Sequence, residues 1–373
     1  MNFLAKAISP LSVMCKIACY AFWGLLMLFL SSCSKGSMES LEVSEPQEEI
    51  PAYVKAAKSL SASRPANCYI IYKEGTYKFT PYKGNSKESV GAVASARVLW
   101  ESFGTDQKPS VGDLIKEVEY KGGFIVFKTP EVFTEGNALI AAEDASGKIL
   151  WSWHIWLTDL PQEQVYYNNA GTMMDRNLGA TSATPGDVCV LGLKYQWGRK
   201  DPFMGWKNAV ATKNWPDPVE SKPKTGTIAY TTANPMTLIA RGSNYDWFYT
   251  GGAESIDATR WKGSDSPKTI YDPCPGGWRV PDGGSKRGVW AIAKGGWGSF
   301  SLDWKYDDKN FGVNFSGHLG KDKTIWYPVS GIYWAATIPD QMSADCLELT
   351  PIRAYPCTQH YPSYTCFVRC VKE

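Results

Sequence analysis

The stretch GKILWSWHIWLTD, residues 147–159, decides the architecture of the first half of this chain. Its apolar residues alternate: Ile149, Trp151, Trp153, Ile155 and Leu157 fall on one face of an extended strand, while Ser152 and His154 fall on the other. A row of that size leaves water only against an opposing sheet. Working outward, NCYIIYKEGTYKF (67–79) reads as strand, turn at Lys73-Glu74-Gly75 and strand, and IKEVEYKGGFIVFKT (115–129) repeats the design around Gly122-Gly123. Short strands at this spacing predict an immunoglobulin-like β-sandwich of about seven strands over residues 64–160. Pro161 stops the pattern, because proline cannot continue a central strand, and a domain boundary is expected there.

Residues 165–373 are irregular and rich in Gly, Pro, Trp and Asn, with one short helical pattern in GGSKRGVWAIAKG (283–295). The expected fold class is therefore mostly β, with an α+β second domain. Residues 33–63 carry Glu39, Glu42, Glu45, Glu48 and Glu49 with little apolar periodicity, which predicts a flexible tether.

The chain opens on Lys6 and Lys16 without an acid, followed by an apolar run to Leu30, the n-region and h-region of a secretory signal. The run is too short to span a bilayer comfortably, which takes about 20 apolar residues. It closes on Leu30-Ser31-Ser32-Cys33, which resembles the lipobox of bacterial lipoproteins. That resemblance implies that residues 1–32 are removed, that Cys33 is lipidated, with palmitate among its acyl chains, and that the protein is held by its lipid at the outer membrane, facing outward.

Residues 33–373 balance 37 basic against 37 acidic side chains, so no net charge steers the chain toward nucleic acid, and no nucleic-acid partner is expected. Seven cysteines follow Cys33: Cys68, Cys189, Cys274, Cys346, Cys357, Cys366 and Cys370. An exported protein can oxidise them, and an odd number leaves at least one thiol free or paired between chains. There is no C-x-x-C, and His154, His318 and His360 are scattered, so a zinc site is not expected.

Four strings in the second half, MMDRNLGATSATPGD (173–187), GLKYQWGRKDPF (192–203), YDPCPGGWRVP (271–281) and FVRCVKE (367–373), are similar to the Fibrobacter succinogenes major paralogous domain. That domain is found in surface lipoproteins of Bacteroides-like bacteria, including fimbrillin-type proteins. The resemblance implies a C-type-lectin-like fold for 165–373, with the last strand returning beside Gly277-Trp278-Arg279-Val280-Pro281. It also implies a disulfide between Cys274 and Cys370. Trp278 and Val280 suit a core, and Val368 and Cys370 alternate with Phe367 and Arg369 on a terminal strand.

Calcium-dependent lectins of this fold use Glu-Pro-Asn or Gln-Pro-Asp with Trp-Asn-Asp, and none of these strings occurs. Asp303, Asp307, Asp308, Asn310 and Asn314 form the nearest oxygen cluster; a solvated polar loop is the expected reading, calcium the alternative, and no cofactor is assigned. Formylglycine-generating oxidases share the lectin-like fold but ligate copper through C-x-x-x-x-C, whereas here the spacing is Cys366-x-x-x-Cys370. No serine or cysteine nucleophile can be placed beside His154, so a structural histidine is expected, and Asp175–Arg176 is read as a structural ion pair. The expectation is a non-enzymatic cell-surface lipoprotein, an adhesin or fimbrial tip or accessory subunit. A glycan-capture lipoprotein is the alternative and an oxidase the remoter one. Periodicity fails over 295–326, and Trp297 and Trp304, with Asp303, Asp307 and Asn310, are the residues expected to touch ligand.

Overall fold

The computed structural model describes residues 49–373 except 106, 185–186, 204–208, 243–244, 252–256, 263–267, 297–299, 302–306, 309–312, 315–330, 341 and 350–352. The fold is mostly β, with three short α-helices among the described residues: α1 (Ala52–Ala56), α2 (Ile228–Ala233) and α3 (Val289–Lys294). Residues 49–373 form one compact unit.

Eight strands make up the first half: β1 (Lys58–Ser59), β2 (Cys68–Ile71), β3 (Thr76–Phe79), β4 (Ser95–Ser102), β5 (Glu117–Lys121), β6 (Phe124–Lys128), β7 (Gly136–Glu143) and β8 (Ile149–Leu157). One sheet runs β1-β3-β6-β5. The other runs β4-β7-β8-β2, with β2 parallel to β8 and the remaining pairs antiparallel. Trp151, Trp153, Ile155 and Leu157 pack with Tyr77, Phe79, Ile125 and Phe127 of the opposing sheet, so the alternation of β8 does bury a face. Ile149 departs from it. Trp151 pairs with Ala142 and Ile149 with Glu143, which leaves Leu150 as an extra residue. This bulge turns Ile149 to the other side, where it packs against a separate buried cluster, and puts Leu150 with the sandwich core.

The face of β8 that carries Ser152 and His154 is also shut away from water. It is covered by the second half, whose Met174, Leu178, Tyr195, Trp197 and Trp334 share one cluster with Cys68, Leu99, Trp100, Leu139 and Trp156. The second half also lends a strand. After β9 (Glu163–Val165), β10 (Thr172–Met174) and β11 (Lys194–Gln196), β12 (Ala209–Ala211) pairs antiparallel with β4 and extends the sandwich sheet. The change of pattern at Pro161 thus coincides with a change of layer, and the two layers share a core.

Beyond β12 a six-stranded sheet runs β11, 365–367, 331–334, 344–349, 353–360 and 300–301. A four-stranded sheet sets 371–372 between 278–279 and β10, with Trp278 opposite Lys372 and Met173 opposite Val371. The terminal strand is broken over 368–370. Here Val368 O accepts from Leu178 N–H and Cys370 O from Met174 N–H, and Phe367, Val368, Arg369 and Cys370 are all buried. The expected helix of 283–295 narrows to the six residues of α3, because Gly288 opens it and Gly295, at φ 78°, closes it in the left-handed region.

Candidate functional site

Cys33, Trp297, Asp303, Trp304 and Asn310 lie outside the described residues. Asp307 belongs to a two-residue strand, Asp307–Asp308, paired antiparallel with Val313–Asn314. Cys274 and Cys370 are joined in a disulfide that spans 96 positions. Closing a loop of that length contributes about 4–5 kcal/mol in the chain-entropy picture. Cys68, Cys189, Cys346, Cys357 and Cys366 are unbonded, and burial pushes all five thiols above the ordinary cysteine value. That suits packing rather than nucleophilic work. Among the described residues no group of three or more His, Cys, Asp and Glu is placed to hold a metal ion.

Polar side chains with catalytic reputations meet on the covered face of β8. Lys200 Nζ donates to Ser152 Oγ at 2.7 Å, to Ser152 O at 3.0 Å and to Asp201 Oδ1 at 2.6 Å, while Ser152 Oγ–H donates to the same Asp201 oxygen at 2.6 Å. All three residues are buried, and Lys200 lies 4.6 Å over the ring of Trp151. Burial draws the lysine below its ordinary value, and the Asp201 charge opposes that. The hydroxyl is thus bound to a carboxylate inside an ion pair. That arrangement rivets β8 to the second layer. His154 behaves likewise. Its Nε2 lies 2.9 Å from Asn137 Oδ1, and Asn137 Nδ2 donates to Gly179 O at 2.9 Å. Burial lowers the imidazole to about 3, so it stays neutral. Arg176 pairs with Asp175 and Asp159, the structural role expected for it.

Aromatic side chains gather at the surface elsewhere. The ring of Tyr245 stacks on Tyr361 with centroids 4.4 Å apart and planes at 19°. Tyr364 meets Tyr361 edge-on at 5.7 Å and is 45% exposed. Arg241 Cζ lies 4.9 Å over Tyr245, and the ring of His360 lies 6.0 Å from Tyr364. His360 Nε2 stands 3.7 Å from Glu348 Oε2.

Both loops that carry these rings are fastened to QWGR (196–199). Gln196 Nε2 donates to Ile239 O at 2.7 Å and to Ser363 O at 2.8 Å, and Trp197 N–H donates to Pro362 O at 3.1 Å. Beside Tyr245, Asp246 is locked to Arg260, whose guanidinium lies 4.8 Å over both Trp197 and Trp247. Gly198, at φ 82°, lets Arg260 so close that a Cβ there would meet the arginine Cβ at 2.8 Å. Tyr245 itself, a bulky non-glycine residue, is held at φ 61°. Sequence reading missed this cluster. HYPSYT (360–365) shows two tyrosines around a proline turn, but nothing in the string ties them to Tyr245.

A concavity of about 380 Å³ is lined by Arg64, Lys87, Lys268, Gly276, Gly277 and Glu373 among others. Two of its three cations are engaged: Glu373 pairs with Arg64 at 3.2 Å and Lys268 at 3.4 Å, and Lys268 also donates to three backbone carbonyls. Among the described residues no helix is long and apolar enough to cross a membrane. Comparison with protein-family models, with curated proteins and with solved structures finds no match to this chain.

Proposed function

We propose that this chain is a non-enzymatic, lipid-anchored protein of the outer-membrane surface that binds ligands outside the cell, as an adhesin or as a tip or accessory subunit of a fimbria. Its first layer is then an immunoglobulin-like sandwich and its second a C-type-lectin-like domain. The observation that carries the reading is the division of labour among side chains. The polar groups suited to catalysis, Ser152, Lys200, Asp201 and His154, are buried and tied to one another or to Asn137. Aromatic rings left over from the core collect instead at an exposed edge between loops. Groups sealed in the core hold the fold; rings at the surface meet partners. The lipobox resemblance at Cys33 and the acidic tether after it supply the anchor and the reach.

Glycan capture is the second reading, favoured by the same rings, of which Tyr364 is exposed and Tyr245 and Tyr361 are half-buried. The anchor is tested by fractionating cells that carry the wild-type chain or Cys33→Ala, with acyl labelling and protease treatment of intact cells. Wild type is expected in the outer-membrane fraction, acylated and open to protease, and the variant released or unprocessed. Equal membrane retention of the variant would contradict the proposal.

A further inference from the structure

We infer that Tyr245, Tyr361 and Tyr364, with Arg241, His360 and Glu348 at the rim, form a calcium-independent glycan-binding platform. This rests on the ligand-binding reading above and names its ligand class and its residues.

Tyr245, at φ 61°, is strained, since a side chain of this bulk is disfavoured in the left-handed region. Glycine would hold the same turn without strain. What the tyrosine adds is its ring, laid flat on Tyr361. A bulky residue kept in an unfavourable conformation at a surface points to a use for its side chain.

Both loops are rigidly held. The turn of 361–364 is closed by Tyr364 N–H donating to Tyr361 O at 2.9 Å and is pinned from below by Gln196 and Trp197. The other loop is pinned by Gln196 to Ile239 O and by the buried Asp246–Arg260 pair. Rings so held lose little freedom on binding. Stable proteins have no need to build such a base under idle surface aromatics.

A pyranose offers an apolar C–H face beside a ring of hydroxyls. The exposed ring of Tyr364 suits the first, and Arg241 as donor, Glu348 as acceptor and the phenol hydroxyls suit the second. A protein partner would need an apolar pocket for an anchoring side chain. The cluster instead sets its rings beside the charged groups Arg241 and Glu348 and the imidazole of His360. Stacking on a ring and hydrogen bonding to a guanidinium and a carboxylate require no metal.

The test is affinity electrophoresis of the chain from residue 33 to 373 in native gels containing xyloglucan, galactomannan, mixed-linkage β-glucan, arabinoxylan, glycogen or gastric mucin, each with excess EDTA. Wild type is expected to be retarded by at least one polymer. Tyr361→Ala with Tyr364→Ala should weaken that retardation at least about tenfold. Tyr245→Gly keeps the inference falsifiable if the double variant unfolds: it removes the ring while relaxing the backbone, so retardation should fall while the melting temperature stays within about 3 °C or rises. Four results would overturn the platform: no polymer retards wild type, the variants are retarded equally, EDTA abolishes the effect, or deglycosylated mucin polypeptide retards as well as intact mucin. Each leaves the outcome at Cys33 untouched, so failure of the platform is distinguishable from failure of surface anchoring.

Discussion

Tyr245 lies on Tyr361, ring to ring at 4.4 Å, because a single residue of the layer beneath holds both of their loops. Gln196 donates one amide hydrogen to Ile239 O, ahead of Tyr245, and the other to Ser363 O, between Tyr361 and Tyr364. Its own Oε1 accepts from Arg199 Nη1 at 2.9 Å.

Gln196→Leu keeps the volume and removes all three bonds, together with the one that Gln196 Oε1 accepts from Ile239 N–H at 3.3 Å. Two buried carbonyls and part of a buried guanidinium then lose partners, at about 1–3 kcal/mol each before relaxation. Urea unfolding should show a loss of at least about 2 kcal/mol, and amide exchange should rise over 361–364 ahead of the sandwich strands. An unchanged midpoint would remove Gln196 as the support of the cluster.

Lys200→Met should be among the most destabilising single changes in the chain, by about 3–5 kcal/mol, because it leaves the Asp201 carboxylate buried without its cation. Adding Asp201→Leu to that variant should recover part of the loss. A double-mutant cycle read by thermal melting checks both statements.

Two buried groups give stability opposite slopes with pH. His154 is lowered to about 3, so between about pH 3 and its unfolded value of about 6.5 the unfolded chain holds the extra proton. Stability therefore falls as pH drops through that window, by an amount on the order of 4 kcal/mol in total. Asp345, buried with neither carboxylate oxygen partnered among the described residues, is pushed up to about 6. Its contribution is full below about pH 4 and lost as pH rises through 6. Asp345→Asn should thus raise stability by about 1–3 kcal/mol at about pH 8 and change little at about pH 4, as chemical denaturation at the two pH values will read.

Much of the first layer was legible in the sequence, because the strand period is local. Trp151, Trp153, Ile155 and Leu157 alternate in the string and share a core in the fold. Ile149 escaped the reading since a bulge at Leu150 leaves no local mark. Burial of Ser152 and His154 was hidden for another reason: the residues that cover them lie beyond Pro161, and periodicity carries no information about distant partners. Helices α1 and α2, of five and six residues, are too short to show a helical period. The pairing of Cys274 with Cys370 came from family likeness and agrees with the fold. Peptide mapping of the exported protein should find the two joined, and replacing both with serine should lower stability by about 2–5 kcal/mol.

The tyrosine cluster could not be read at all, since Arg241, Tyr245, Glu348 and the turn of 361–364 meet only after the six-stranded sheet is assembled. Sequence reading placed recognition at Trp297 and Trp304 instead. Alanine at those two positions, beside alanine at Tyr361 and Tyr364, compares the two regions in one adhesion experiment.

Retention of whole cells on surfaces coated with the polymer that retards the purified chain tests the account most directly. Cells displaying wild type should be held in the presence of EDTA, and cells carrying Cys33→Ala or Tyr361→Ala with Tyr364→Ala should wash away although both chains are made and folded. Equal retention of the Cys33→Ala cells, or of the tyrosine variant, would contradict the claim that an anchored chain adheres through this face.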